Sequence, residues 1–245
     1  MDLVDPLVAR LSQKNVVTPE EREILGKAIA RIRDVPADQD LVTEGSRPTE
    51  STLLLRGFTA RYSTVANGKR QIVAIHVSGD FVDLHGFLLN RMDHGIYTMT
   101  PCRIASVPHQ RLLEITEKFP HLTRLLWLST LIDAAIHRQW IVGVGRLSAV
   151  ARVAHLICEL YARLAAVGET DGLRFQLPIT QEELADSFGM SIVHLNRSLQ
   201  ELRGAGLFSW QRDQVEILDW DRLVEIGEFD PTYLNLDVTL PRPPL

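Results

Sequence analysis

Residues 180–201 read TQEELADSFGMSIVHLNRSLQE, the pattern of two short helices joined by a tight turn. Thr180 followed three residues later by Glu183 is a capping box, which predicts that a helix begins there. Gly189 supplies the backbone freedom that a tight turn requires, and Ser191 can cap a second helix. The stretch therefore predicts a helix-turn-helix, a unit that reads DNA with its second helix.

The second predicted helix has one apolar stripe and one polar face. Leu195, Leu199 and Leu202 recur at i, i+4 and i+7 and form the stripe that packs inward. An ordinary helical hairpin with a solvated outer face would show the same pattern. Two short strands predicted directly after this helix, at 206–210 and 215–217, indicate a wing. The segment is therefore predicted to be a winged helix-turn-helix.

Five side chains on the other face of this helix are candidates for reading bases. Arg197 can grip a guanine with two hydrogen bonds, and Val193 can contact a thymine methyl group. Asn196 suits an adenine or a phosphate, while His194 can donate to a base or to a phosphate. At about 100° per residue, Gln200 points the same way as Val193 and Arg197. We therefore expect these five residues to contact DNA.

Phosphate contacts are expected from the helix ends and the wing. Thr180, Gln181 and Ser191 lie at helix N-termini, where backbone N–H groups favour anions, and Arg212 lies in the predicted wing turn. The surroundings are acidic, because residues 178–218 hold three arginines against six acids, a net charge of −3. DNA binding must therefore use a few well-placed contacts, doubled by a dimer, and not a broad basic surface.

Composition sets the broad class of the protein. The 245 residues carry a net charge of −5 and are 45% hydrophobic and 23% charged, which is ordinary for a soluble protein of two modest domains. No secretory leader or membrane-length apolar run is visible, so a cytoplasmic protein without membrane contact is expected. Cys102 and Cys158 lie far apart and outside any CxxC pair, which argues against a disulfide framework or a cysteine-ligated metal site.

The N-terminal half changes from helical to β-rich texture. Helical patterns cover 3–12 and 19–31, and short β-rich runs follow over 35–108. Four glycines punctuate these runs at spacings of 12, 11 and 11 residues: Gly45, Gly57, Gly68 and Gly79. Such spacing is typical of a sandwich, barrel or roll, and Asn67-Gly68 predicts a type I′ hairpin. The interval 79–95 breaks the strand pattern and is predicted to be a short helix plus a loop, where a roll would hold a ligand.

A long helix is predicted from about 121 to 142, and Gly143-Val144-Gly145 is expected to interrupt it as a hinge. Its apolar residues are too dense for one face, so one surface can pack on the roll and another on a partner helix. A helix buried in the core of a monomer is the alternative. The predicted dimer interface follows a heptad pattern: Leu125, Leu128, Ile132, Ala135, Gln139 and Val142. The proline-rich tail at 228–245 is expected to drape over the surface or to be partly disordered.

Three motifs carry a resemblance to a known family: Gly79-Asp80-Phe81, Cys102-Arg103-Ile104-Ala105 and the module at 178–207. With the order of roll, long helix, hinge and winged module, over about residues 20–220, the chain resembles the Crp/Fnr family of bacterial transcription regulators. The resemblance implies an α+β fold in three parts. These are a cyclic-nucleotide-binding-like β-roll (jelly roll) sensor with flanking helices at 1–118, a long dimerisation helix and hinge at 119–144, and a winged helix-turn-helix at 145–227. The tail at 228–245 follows the region of resemblance.

The resemblance also implies how such a protein works. Family members are homodimers in which a ligand-sensing roll controls two recognition helices through the central helices. For this chain that means a symmetric operator bound through the recognition helix at 191–203, contact with RNA polymerase, and no enzymatic activity.

The chain departs from the family in both its DNA-binding and its sensing residues. Val193 replaces the glutamate of the common Glu-x-x-x-Arg motif while Arg197 is kept, a form similar to a subgroup without an assigned effector. Leu84 replaces the glutamate of the cyclic-AMP-binding members, and 90–95 lacks their Arg-Ser pair. The N-terminal cysteines of the iron–sulfur branch are absent, and Asp83 replaces a cysteine ligand of the haem branch. We therefore expect none of these three cofactors.

The remaining effector candidates are polar side chains in and after the predicted short helix: Asp83, His85, Arg91, Asp93 and His94. Together with His76, the histidines and carboxylates could ligate a metal, as in a cupin-like enzyme. That family's HxH-plus-glutamate spacing is absent, and hydrogen-bonded loop residues would give the same pattern, so no metal site is predicted. A nucleotide-binding regulatory subunit that never binds DNA is a third reading, against which the winged module argues. The sequence leaves the effector unidentified.

Overall fold

The computed structural model describes residues 4–89 and 91–237. The chain divides into two compact units, residues 1–134 and 135–245. The first unit is rich in strands and the second in helices, and a long helix contributes residues to both. The predicted α+β fold is confirmed.

The first unit has helices at both ends and strands in its middle. Thr18 caps the second helix through a capping box with Glu21, as the sequence pattern Thr-Pro-Glu-Glu favours. In chain order the elements are α1 (Asp5–Leu11), α2 (Pro19–Ala28), β1 (Arg31–Val35), β2 (Asp40–Val42), β3 (Glu50–Arg56), β4 (Thr59–Thr64), β5 (Arg70–His76), a 3-10 helix (Leu84–Phe87), β6 (Gly95–Thr98), β7 (Cys102–Pro108), α3 (His109–Lys118) and the first part of α4 (Pro120–Arg146).

The strands of the first unit form two antiparallel sheets. The three-stranded sheet has the order β1-β7-β3 and the four-stranded sheet the order β2-β6-β4-β5. Leu54, Ile96 and Ile104 belong to one apolar cluster that draws residues from both sheets. A second cluster joins α1, α2 and α3 to the other side chains of β3 and β7, such as Leu53 and Ala105. The predicted roll is therefore confirmed.

The expected extent of the second helix is wrong. The helix predicted over 19–31 ends at Ala28, and Ile32 lies in β1, where it pairs with Ala105 of β7. Strand β1 begins before the predicted β-rich region, because RIRDV is short and mostly exposed and shows no apolar alternation, whereas β2 lies within that region.

The hairpin between β4 and β5 does not use the type I′ turn predicted from Asn67-Gly68. Such a turn needs positive φ at both central residues. Gly68 has φ +82°, whereas the φ of Asn67 is not positive. Gly68 N donates to Val65 O at 2.8 Å and Val65 N to Lys69 O at 2.9 Å. The connection is therefore a three-residue loop that ends in a left-handed glycine.

The second unit combines helices with a small sheet. Its strands are antiparallel in the order β10-β11-β9-β8. In chain order the elements are the last part of α4, α5 (Ala149–Ala166), β8 (Thr170–Asp171), β9 (Arg174–Gln176), α6 (Gln181–Phe188), α7 (Ile192–Gly204), β10 (Phe208–Gln211), β11 (Gln214–Ile217), α8 (Trp220–Gly227) and a 3-10 helix (Pro231–Leu234).

Helix α5 is the centre of the second unit and packs against α7 and α8. It buries Glu159 and Arg163, whose Oε1 and Nη1 atoms lie 3.0 Å apart. Trp140 Nε1 donates to Glu159 Oε2 at 3.2 Å, and Tyr233 OH donates to the same oxygen at 2.8 Å. The buried Glu159 carboxylate is therefore held by three side chains.

Gly227, the last residue of α8, allows α8 to pack closely against α5, since a Cβ there would meet the His155 backbone nitrogen at 2.7 Å.

The predicted tail begins with ordered structure. Phe229 and Leu234 are buried, and Tyr233 reaches the Glu159 carboxylate described above. Residues 228–237 of the tail thus pack into the unit, and residues 238–245 lie outside the described residues.

Helix α4 runs without interruption through Gly143 and Gly145 and ends at Arg146. The expectation that these glycines break the helix is therefore wrong. Glycine lowers helix propensity by only about 1 kcal/mol relative to alanine, which the neighbouring turns of a long helix can offset.

Candidate functional site

The helix-turn-helix is built by caps at the start of both helices. The Thr180 hydroxyl accepts from Glu183 N at 3.2 Å, and Glu183 Oε2 accepts from Thr180 N at 2.7 Å. Gly189 has φ +60° in the turn, and the Ser191 hydroxyl accepts from His194 N at 3.3 Å. The predicted capping box, turn and second cap are all confirmed, so the direction of α7 is set by local hydrogen bonds.

Helix α7 has the two faces that the sequence predicted. Leu195, Leu199 and Leu202 are fully buried. Among the predicted DNA contacts, Asn196 is half-buried and the rest are exposed, with Val193 65% exposed. The exposed members of that set on α7 and its cap are Ser191, Val193, His194, Arg197 and Gln200.

Ile192 is an exposed apolar residue that the sequence reading did not single out. It is the first residue of α7 and is 44% exposed, next to Val193. Ile192 and Val193 together therefore expose apolar surface at the start of α7, next to its cap residue Ser191. At about 100° per residue, Ile192 falls in line with the buried stripe of Leu195, Leu199 and Leu202, so periodicity alone gave no sign that it is exposed.

The remaining cations of the module have different roles. Arg212, with φ +53°, is exposed in the two-residue turn between β10 and β11. Arg203 is part-buried and donates to Trp210 O at 3.4 Å, so it supports the wing. Of the acids, Glu183 is buried in the cap, and Glu216 pairs with Arg174 at 2.7 Å. The exposed surface is therefore less acidic than the sequence count of charges implied.

Arg152 of α5 also positions the helix-turn-helix. Its Nη1 atom donates to the carbonyl of Phe188, at the end of α6, at 2.9 Å. This carbonyl lies in the last turn of the helix, where carbonyl groups lack intrahelical partners. Sequence reasoning missed this contact because no local pattern relates an arginine in α5 to a turn 36 residues later.

The predicted dimer residues lie on α4, but they do not share one exposed surface. Leu125 is only 2% exposed and belongs to the core of the first unit, so its side chain is not available to a partner. Leu128, Ile132, Ala135 and Gln139 are half-buried, and Val142 is exposed. The large exposed apolar side chains of the helix are Trp127, Leu131, Ile141, Val142 and Val144.

Three of the predicted effector residues meet in the roll. His85, in the 3-10 helix, and His94, just before β6, place their Nε2 atoms 3.2 Å apart. His94 Nδ1 lies 2.7 Å from Asp93 Oδ1. Burial and the nearby Arg61 charge lower the pKa of His85 to about 4, and the same causes lower the pKa of His94. Both shifts favour the neutral form of the imidazole.

Asp83 and Arg91, the other two candidates, are held elsewhere. Asp83 is buried, and its Oδ1 atom accepts from the backbone N–H of Thr52. Burial raises the pKa of this carboxyl to about 7. Arg91 donates from Nε to Gly45 O at 2.9 Å. These contacts give Asp83 and Arg91 structural roles in the roll, and the structure does not bring them to the histidine pair.

Arg61 of β4 links the roll to α4 within the first unit. Its Nη1 atom lies 2.9 Å from Asp133 Oδ2, and its Nη2 atom donates to Val82 O at 2.9 Å. The arginine is buried, whereas the Asp133 side chain is 32% exposed. The charge of Arg61 is thus compensated beside the histidine pair. Sequence reasoning missed both residues, because neither lies in the interval 79–95.

Over the described part of the chain, no helix is both long and apolar enough to cross a lipid bilayer. Cys102 and Cys158 are both buried and free.

Comparisons with known proteins agree with both units. The chain matches the cyclic nucleotide-binding domain at residues 32–119 and the Crp-like helix-turn-helix domain at residues 151–226. It is 25% identical over 221 residues to the transcriptional activator protein FnrL of Cereibacter sphaeroides, which covers 89% of this chain and 86% of that protein. It is 24% identical over 204 residues to the transcriptional activator protein Anr of Pseudomonas aeruginosa, with 83% of each chain covered.

A solved structure gives the same picture of the fold. The structure of FixK2 from Bradyrhizobium japonicum superposes with a TM-score of 0.73 at 20% identity, and it covers 81% of this chain and 97% of that chain. The two matched domains occur in this order in one chain, and the relatives match it over most of their length. The predicted resemblance is confirmed: the chain belongs to the Crp/Fnr family of transcription regulators and carries that family's DNA-binding domain.

Proposed function

We propose that the protein acts as a homodimer that binds two-fold symmetric operator DNA, with one α7 helix in the major groove of each half-site. The observation that carries this proposal is the outer face of α7, where Val193, Arg197 and Gln200 are exposed on a helix that is capped and packed from behind. Bases are read by Val193, His194, Asn196, Arg197 and Gln200. Phosphates are held by Thr180, Gln181, Ser191 and Arg212.

The second element of the proposal is dimerisation through α4. In the first unit, Trp127 and Leu131 expose large apolar surfaces, and in the second unit Ile141, Val142 and Val144 do so. Exposed apolar clusters of this kind mark interaction sites, since burying them contributes about 25 cal/mol per Å². We therefore assign a partner-facing surface to each unit separately, Trp127 and Leu131 in the first and Ile141 and Val144 in the second, and not to the full predicted heptad.

The third element of the proposal assigns a function to each segment of the chain. We assign sensing to residues 1–118, dimerisation to 119–144 and DNA binding to 145–227, with residues 228–237 of the tail bracing the DNA-binding part. A small effector in the roll controls the orientation of the reading helices. Because the relatives FnrL and Anr are named transcriptional activators, contact with RNA polymerase is part of the proposal.

The DNA-binding part is tested by selecting binding sites for the full-length protein from genomic fragments and footprinting them at several salt concentrations. We expect two half-sites in inverted orientation whose centres lie about 34–36 Å, or one helical turn, apart. Sites without two-fold symmetry, or binding that competitor DNA removes at low salt, would overturn the proposal.

The dimer is tested separately by sedimentation equilibrium of Trp127→Glu and Ile141→Glu. We expect both variants to be monomeric at concentrations where the wild type is dimeric, because a carboxylate in an apolar interface is strongly disfavoured. Val16→Glu is the matched control, since Val16 is 76% exposed outside α4. A dimer that survives both α4 substitutions would place the interface elsewhere.

A further inference from the structure

His85 and His94 face each other across the loop between the 3-10 helix and β6, and their Nε2 atoms lie 3.2 Å apart. We propose that these two imidazoles form an open binding site for one divalent transition metal ion of the Zn²⁺ or Cu²⁺ class. The proposal is independent of the DNA-binding function.

The distance between the two nitrogens fits a shared metal ion. Zinc binds imidazole nitrogen at about 2.0–2.1 Å, so two nitrogen ligands at the tetrahedral angle lie about 3.3–3.4 Å apart. The same bond lengths at the right angles of tetragonal Cu²⁺ give a separation of about 2.8–3.0 Å. The observed separation of 3.2 Å lies between these values. An ion can therefore be bound with ring shifts of only a few tenths of an ångström.

The neighbour of His94 prepares that ring for metal binding. Asp93 Oδ1 lies 2.7 Å from His94 Nδ1, so this nitrogen donates its hydrogen to the carboxylate and Nε2 keeps a lone pair directed at His85. A carboxylate hydrogen-bonded to the outer nitrogen is the usual support of a metal-bound histidine. Asp93 is therefore a positioning residue, and it also brings a negative charge close to the ion.

The charges around His85 and His94 and the exposure of the pair also permit a metal ion to bind. Arg61 is the nearby cation, and it is paired with Asp133 at 2.9 Å. His94 is 93% buried, whereas His85 is half-buried and the Asp93 side chain is 80% exposed, so the pair lies close to the protein surface. Within residues 4–89 and 91–237 no group of three or more His, Cys, Asp or Glu side chains is arranged to hold a metal. The site therefore has two protein ligands, and water completes the coordination.

A hydrogen bond between the two rings is the alternative explanation of the short distance, because one neutral imidazole can donate an N–H···N hydrogen bond to the other. Cu²⁺ titration of the wild-type protein separates the two cases without any substitution. We expect one equivalent of Cu²⁺ to give an electron paramagnetic resonance spectrum of a single site. Electron spin echo modulation should then show the remote nitrogens of two bound imidazoles. A spectrum with one imidazole or none would overturn the proposal.

Substitutions locate the site and test the role of Asp93. We expect His85→Gln and His94→Gln each to weaken Zn²⁺ binding in calorimetry by more than about 100-fold. Asp93→Asn should weaken it by about 10–100-fold, the usual loss for an outer carboxylate. His109→Gln is the control, since it removes a single histidine from the same unit. If all four proteins bind Zn²⁺ alike, or if His109→Gln lowers the affinity as much as His85→Gln, the assignment is wrong.

Discussion

Helices α5 and α7 lie in the same unit and distribute their polar and apolar side chains in opposite ways. Helix α5 buries a charged pair, with Glu159 fully buried and Arg163 only 2% exposed. Helix α7 exposes two apolar side chains, Ile192 and Val193, at its first two positions. Each helix therefore departs from the usual arrangement, in which charges face water and apolar groups face the core.

The difference separates a helix that serves the fold from one whose outer face we propose to contact a partner. Desolvating an ion pair costs several kcal/mol unless hydrogen bonds complete it, and Glu159 receives such bonds from Trp140 and Tyr233. Helix α5 thus satisfies its polar groups inside the protein. Ile192 and Val193 stay exposed in the described chain, at the end of α7 that we propose to contact DNA. Substitutions in α5 should change stability, and substitutions on the outer face of α7 should change binding.

The largest effect is expected for Glu159→Ala. It leaves the Arg163 guanidinium buried without its carboxylate and removes the acceptor of the Tyr233 hydroxyl and the Trp140 indole. Removing one partner of a buried pair typically costs about 3–5 kcal/mol. Urea unfolding followed by circular dichroism should show that decrease in the free energy of unfolding. Glu201→Ala, which removes an exposed carboxylate on α7, is the control and should change stability by less than about 0.5 kcal/mol. If Glu159→Ala and Glu201→Ala lower the free energy of unfolding equally, the proposed contrast between α5 and α7 is wrong.

The next effect is expected for Arg197→Ala, measured as DNA affinity by fluorescence anisotropy. We expect a loss of about 1–3 kcal/mol per half-site on the selected operator, and relaxed discrimination at one base position. The free energy of unfolding should stay within about 0.5 kcal/mol of the wild type, because the side chain is exposed.

Arg222→Ala is the matched control for Arg197, since it removes an exposed arginine from α8. It should leave operator affinity unchanged at fixed salt. If Arg197→Ala instead weakens binding equally on all sequences, Arg197 holds a phosphate and does not read a base.

Local hydrogen-bond patterns account for the part of this site that the sequence predicted. The capping box of Thr180 and Glu183 and the cap at Ser191 depend on residues three apart, and the structure confirms both. The same is true of the buried stripe of α7, whose period is a property of the helix itself. Contacts within one turn of helix are encoded locally, which explains why they were predictable.

The parts that sequence patterns do not predict depend on long-range contacts. His85 and His94 are both predicted candidates, but they lie nine residues apart, in the 3-10 helix and just before β6, and no periodicity predicts that their rings meet. Asp83 was predicted to face a ligand, but it accepts from Thr52, 31 residues away. The dimer heptad placed Leu125 on the partner side because an apolar helix position gives no sign of which neighbour covers it. Only the tertiary structure shows that the core of the first unit does so.

A smaller effect is expected for Ser191→Ala, which tests the cap of α7. The substitution removes the acceptor of His194 N and should cost about 1 kcal/mol in the free energy of unfolding. Because the same cap orients the reading face, operator affinity should fall as well. Ser191→Asp is the control, since aspartate caps helices equally well and should restore stability. Its negative charge should still weaken DNA binding if Ser191 lies against a phosphate. If Ser191→Asp binds DNA as the wild type does, Ser191 acts only as a cap.

The smallest effect belongs to Val193, and a change in the DNA tests it most sharply. Replacing thymine by deoxyuridine at one operator position at a time removes only the C5 methyl group. If Val193 contacts one of these methyl groups, that replacement and Val193→Ala should each cost roughly 0.5–1 kcal/mol per half-site, about the value of one buried methylene. Made together, they should cost little more than either alone, because both remove the same contact. Ile192→Ala is the matched control, since Ile192 is the adjoining exposed apolar residue. If the loss from deoxyuridine adds to the loss from Val193→Ala but not to the loss from Ile192→Ala, then Ile192 makes the methyl contact and Val193 does not.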